Sequence, residues 1–146
     1  MKKIIIFAIA LVASVMTFTS CEKNSGNALV GTWSRDTEKD GNGWYETQIL
    51  TFTAKNGFSY EGIQHNPENP DAQSAMLFEG TYEIKGDIAT IHYTAHGWSY
   101  DGRTEWVPNW EGHDENVKFS IDGKQLTIIR YYGEEYQNEP EVFTKQ

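Results

Sequence analysis

Arg130 carries the most chemical consequence of any side chain here, because strand alternation aims it inward. It follows Leu126 and Ile128 at two-residue spacing, so the three share one face of an extended segment. A guanidinium on an inward face needs a carboxylate. Pairing across the hairpin at Asp122-Gly123 sets Glu115 opposite it, with Tyr132 and His113 next along the face. Such a pair can be purely structural, or it can anchor the headgroup or carboxylate of a bound molecule. A second group is aromatic: Trp98, Trp106 and Trp110, with Trp44, Tyr45, Tyr100 and Tyr136 nearby in the chain's loops. Flat rings suit apolar ligands and sugar faces, and the alternative is that they pack on one another. Regular pairing sets Trp98 opposite Glu105, which puts Trp98 and Trp106 on opposite faces. A third group is His92, His96 and His113. Metal binding needs convergent ligands. With Ile91, Tyr93 and Ala95 inward, both His92 and His96 face outward, opposite Thr81 and Leu77. No metal site is expected.

Elements must hold these groups, and they read as strands. From Leu29 onward apolar and polar residues alternate in short runs between Gly, Asn and Asp punctuation, with no helical period. Three tight hairpins set the register. Asp122-Gly123 pairs Phe119 with Leu126 and Val117 with Ile128. Gly86-Asp87 pairs Ile84 with Ala89, Tyr82 with Ile91, Gly80 with Tyr93 and Phe78 with Ala95. Lys55-Asn56-Gly57, with Gly57 left-handed, pairs Ala54 with Phe58 and Phe52 with Tyr60. The strands expected are 29–36, 44–54, 57–64, 76–85, 88–99, a bulged 104–121, 124–132 and 140–145. Sequential antiparallel strands with one apolar face predict an all-β, eight-stranded up-and-down barrel, with a two-sheet sandwich as the alternative. In such a barrel the tight turns close one end, and every long connection gathers at the other.

The chain's start has a different character. Lys2 and Lys3 precede an apolar run, Ile4 to Phe18, and Thr19-Ser20-Cys21 closes it with small residues. This layout is that of a secretory signal. Ending at the only cysteine, it resembles a bacterial lipoprotein signal, with Phe18 where that signal usually carries Leu, Val or Ile. The resemblance implies removal of residues 1–20, acyl chains such as palmitate on Cys21, and a flexible polar tether over 21–28. The domain proper is then 29–146. A lone cysteine also excludes a disulfide within the chain.

Gly31-Thr32-Trp33 resembles the Gly-x-Trp signature of the lipocalins and related calycin barrels. In that family the Trp seals the closed end of the barrel, and a late basic residue packs over it. The resemblance implies that role for Gly31 and Trp33, with Lys145 as the covering residue where the family often has Arg. It also implies an interior that holds a small apolar ligand.

Composition narrows the partners. With 21 acidic against 12 basic residues the net charge is −9, which disfavours nucleic acid and anionic surfaces. No Gly-x-Ser-x-Gly, phosphate-cradling glycine loop or available nucleophilic cysteine is present, so neither enzyme nor cofactor is expected. Two readings stay open. One is a lipid-anchored lipocalin-like protein of the bacterial cell envelope, on the outer membrane and facing periplasm or cell surface. It would bind a small apolar or amphipathic ligand near Trp98, Trp106, Trp110, Glu115, Arg130 and Tyr132. The other is a filled barrel presenting its aromatic rim to a protein or glycan.

The anchor is directly testable. Cys21→Ser should release the protein from membranes, because two or more acyl chains suffice for stable attachment. Wild-type protein that takes up no labelled fatty acid would refute the assignment.

Overall fold

The computed structural model describes residues 28–70, 73–100, 103–132, 135–136 and 139–146, with Tyr132, Glu135 and Tyr136 described in backbone only. The expected signal, Cys21, most of the tether, and residues 101–102 lie outside the described residues. Among the described residues ten strands run in chain order: β1 (Gly31–Asp36), β2 (Tyr45–Phe52), β3 (Gly57–His65), β4 (Ser74–Lys85) and β5 (Ile88–Tyr100), then β6 (Arg103–Trp106), β7 (Asp114–Asp122), β8 (Gln125–Tyr132), β9 (Glu135–Tyr136) and β10 (Glu141–Lys145). Antiparallel neighbours run β1-β2-β3-β4-β5-β7-β8-β10, and β10 pairs back onto β1. The result is a closed eight-stranded up-and-down barrel, not a sandwich. β6 and β9 are short additions on β5 and β8.

Tight turns at 53–56, 86–87 and 123–124 crowd one end, and the long connections lie at the other. Two hairpins differ from expectation in detail. At the last, Asp122 pairs with Gln125, so the loop is Gly123-Lys124 and Phe119 faces Ile128. Gly123 alone takes a positive φ there (58°), which suits a turn with glycine at its first central position; Asp-Gly as the loop would need both residues left-handed. At the first, Phe52 faces Phe58 and Asn56 is the left-handed residue (φ 62°). Gly57 is needed for closeness instead, since a Cβ there would lie 2.8 Å from Thr53 Oγ1. Both registers move by two residues, so every side chain keeps its face.

A third difference does change faces. Gly80 pairs with Tyr93 but Glu79 pairs with Ala95, leaving Thr94 unpaired in a β-bulge. Beyond it Phe78 faces His96, so His96 points inward and the expectation of an outward His96 is overturned. His92, before the bulge, faces outward opposite Thr81 and binds Asp114 at 2.7 Å. The expected single strand 104–121 is also interrupted. β6 pairs the far half of β5, β7 pairs the near half, and residues 107–113 arch between them. Pro108 offers no N–H and Asn109 is left-handed (φ 55°), so pairing cannot continue through them.

The closed end is apolar and rich in aromatic rings. Trp33, Leu126 and Phe143 are fully buried, packed with Leu29, Leu50, Phe52 and Phe58. Trp33 Nε1 donates to the Leu29 carbonyl at 2.8 Å. Lys145 Nζ lies 5.0 Å above the Trp33 ring and donates to the Val30 carbonyl at 3.1 Å. Its stem crosses Gly31, where a Cβ would come within 2.8 Å of Lys145 Cε and φ is +138°. Glycine is thus required two residues before the plug.

If this plug holds the floor, Trp33→Ala should cost about 3–5 kcal/mol in urea denaturation. A loss below about 1 kcal/mol, the surface range, would show that the floor is held by other residues.

Candidate functional site

Above the aromatic floor the inward positions turn polar. On β8 the face runs Leu126, Ile128, Arg130, and on β10 it runs Phe143, Glu141. On β1 it runs Trp33, Arg35, and on β2 it runs Leu50, Gln48, Glu46. These groups meet inside the barrel. Arg130 Nη1 donates to both oxygens of Glu115, at 2.9 and 3.0 Å, and its Nε donates to Glu141 Oε2 at 3.1 Å. Glu141 Oε1 accepts from Arg35 Nη2 at 2.8 Å, and Arg35 Nε donates to Gln48 Oε1 at 2.6 Å. Gln48 Nε2 then donates to Glu46 Oε1 at 2.8 Å, which also accepts from Tyr60 OH at 2.9 Å. At the other end Tyr93 OH donates to Glu115 Oε2 at 2.6 Å. The chain of bonds touches β5, β7, β8, β10, β1, β2 and β3 in the order of the barrel wall. Only β4 contributes no polar link. There Phe78 bridges the gap, its ring centroid 6.0 Å from Tyr60 and 5.4 Å from Tyr93.

A cavity of about 380 Å³ opens over this belt. Glu46, Gln48, Arg130, Glu141 and the hydroxyls of Tyr60 and Tyr93 give it a polar floor, and Met76, Phe78 and His113 complete its wall. Trp110, carried by the 107–113 arch, packs against two of these wall residues, Phe78 and His113. Its ring lies 6.0 Å from Phe78, 5.8 Å from His96 and 5.7 Å from His113. The arch fits because Gly112 lies flat on β5; a Cβ there would be 2.0 Å from the Tyr93 carbonyl oxygen.

The three tryptophans singled out from sequence do not form one surface. Trp110 packs partly buried against the core. Trp98 is 38 % exposed, opposite Met76 at the rim and edge-on to His96 at 4.9 Å. Trp106 lies on the outer face, over Gly97, and Trp44 is also exposed at this end. Glu115 and Arg130 do come together, although Val117 rather than Glu115 is the direct partner of Arg130, so the bond runs diagonally. The Tyr132 side chain lies outside the described residues. Sequence reading missed Arg35, Glu46, Gln48 and Glu141. Each sits two or four residues from a buried anchor, Trp33, Leu50 or Phe143, so continuing the alternation toward the mouth would have found them.

Among the described residues no group of three or more His, Cys, Asp or Glu side chains could hold a metal ion. Of the histidines, His96 is stacked on Phe78 at 4.6 Å, with its Nε2 buried and without a hydrogen-bond partner. Burial opposes the charge on Arg130, but Glu115 and Glu141 outweigh it and hold the guanidinium protonated well above its ordinary range. Burial, reinforced by Glu46 for Tyr60 and by Glu115 for Tyr93, pushes both phenols well above theirs. The arrangement presents fixed charges, hydrogen-bond donors and ring faces to a small open-mouthed cavity. The chain matches no protein-family model and no curated protein.

The raised phenol pKa values have a signed consequence. Protonated Tyr60 and Tyr93 favour the fold fully below the ordinary tyrosine pKa of about 10, and that contribution is lost as pH rises beyond it. Tyrosinate absorbance from these two should therefore appear only together with loss of the folded circular-dichroism signal above that pH. Ordinary titration of every tyrosine in the intact fold would contradict their burial beside carboxylates.

Proposed function

We propose that the chain is a lipid-anchored, lipocalin-like binding protein of the bacterial cell envelope that takes a small amphipathic molecule at the long-loop end of its barrel. The observation that carries this reading is the cavity itself, an open-mouthed space with a hydrogen-bonded polar floor and an aromatic wall. Its volume of about 380 Å³ is at the lower end of ligand pockets, which run roughly 300–1,000 Å³. An eight-stranded barrel interior is just wide enough for side chains to fill or for one small ligand, and here the lower half is filled and the upper half is not. The Gly31-x-Trp33 plug with Lys145 over it supports the lipocalin likeness. The signal-like start ending at Cys21 supports the anchor. The role is binding rather than catalysis.

In this reading Trp110 and Trp98 flank the entrance and Arg130, held by Glu115, belongs to the floor. Trp106, on the outer face, leaves the ligand site. Its exposure, with that of Trp44 and Tyr100, favours the second reading, a rim presented to a protein or glycan.

Native mass spectrometry of protein from its own host should reveal a bound small molecule. Trp110→Ala should weaken its retention by about tenfold or more while Trp106→Ala does not, because buried aromatic contacts dominate binding energy. Loss of binding in Trp106→Ala alone would favour the rim.

A further inference from the structure

Resting on that binding reading, we propose that the ligand is a small organic cation, an amine whose ammonium group sits against Glu46 and whose apolar part lies on Phe78 and Met76. The belt contains three carboxylates, Glu46, Glu115 and Glu141, and two guanidinium groups, Arg35 and Arg130. Both guanidinium groups are committed. Arg130 spans Glu115 and Glu141, and Arg35 takes the other oxygen of Glu141. Glu46 is different. Its contacts are with two neutral donors, Gln48 Nε2 and Tyr60 OH, and both land on Oε1. Among the described residues it has no ion pair. Gly62 lets the Glu46 carboxylate and the Tyr60 hydroxyl lie close against β3, since a Cβ there would come within 3.1 Å of Glu46 Oε2 and 2.7 Å of Tyr60 OH.

Glu46 also borders the cavity, so the unbalanced negative charge faces the space a ligand would fill. A cation there completes the ionic belt. An anion would meet Glu46 and Glu141 on the same lining, and could reach Arg130 only in competition with carboxylates already bound to it. The rings of Tyr60, Phe78 and Tyr93 surround the space, and aromatic faces attract cations within about 6 Å. The chain's net charge of −9 draws cations toward it from solution. Cavity volume limits the ligand to a small molecule.

Three probes of one shape separate charge from size: phenethylamine, 2-phenylethanol and phenylacetate, titrated calorimetrically into the full chain at neutral pH and low salt. The amine should bind at least about tenfold tighter than the alcohol, as one charge-assisted hydrogen bond allows, and the acid weakest of all. Glu46→Gln, which keeps the shape and the acceptor for Tyr60, should bring the amine-to-alcohol ratio toward one. The wild-type comparison stands whether or not that variant folds. Phenylacetate binding as tightly as the amine, or an unchanged ratio in a folded Glu46→Gln protein, overturns the cation assignment. A neutral or acidic molecule released from the native protein overturns it too while leaving the binding reading intact. If no probe binds and the native protein carries no small molecule, both fall together.

Discussion

A guanidinium aimed into a closed barrel must be neutralised inside it, and the upper half of this molecule is organised around that requirement. Arg130 draws Glu115 from β7 and Glu141 from β10, and Glu141 in turn draws Arg35 from β1. The two bonds of Glu141 lie across the seam where the barrel closes. Backbone pairing there is thin: β10 meets β1 through Trp33 with Lys145 and Ser34 with Thr144. The side chains supply what the ladder lacks, from the Arg35–Glu141 ion pair above to Lys145 over Trp33 below. Removing one partner from such a network strands a charge in a poorly solvated site, which is more costly than the pair is favourable.

The same belt divides the interior into two storeys. Below it, large rings fill the space in edge-to-face and tilted contacts, as Phe52 does with Phe58 and Tyr82. In the belt itself, groups held to one another by directional bonds cannot collapse inward as apolar side chains would. Arg35, Gln48, Glu46 and Tyr60 are pinned to the wall by their partners. The cavity is the space that remains, and its shape is set by hydrogen-bond geometry as much as by bulk.

Irregularity in β5 shapes the mouth. The unpaired Thr94 turns His96 inward against Phe78, and the arch 107–113 carries Trp110 onto both. Close backbone approaches make this feasible only with glycine: a Cβ at Gly80 would lie 2.1 Å from the His92 carbonyl oxygen. One inserted residue therefore changes which side chains face the cavity, while the lower half of the barrel keeps its regular alternation.

What the sequence determined by itself follows from local rules. Two-residue alternation set which face each side chain takes on regular strands, so the inward Arg130, the buried Leu126 and Ile128 below it and its partner Glu115 were legible. Turn residues set where strands end, and the alternation of short and long connections put the mouth at one end. Faces survived even where the register of two hairpins moved, because both moved by an even number of residues. Tertiary structure decided the rest. Nothing local in Glu141, Arg35, Gln48 or Glu46 says that they meet, since that meeting needs β10 to close between β8 and β1. Nor does the run His92 to His96 announce its bulge. The extra residue at Thr94 is accommodated because Gly80 and Gly112, distant in sequence, bring their backbones against β5 there. Alternation is a property of one strand, but which strands touch, and where one must break step, is settled only when the whole sheet closes on itself.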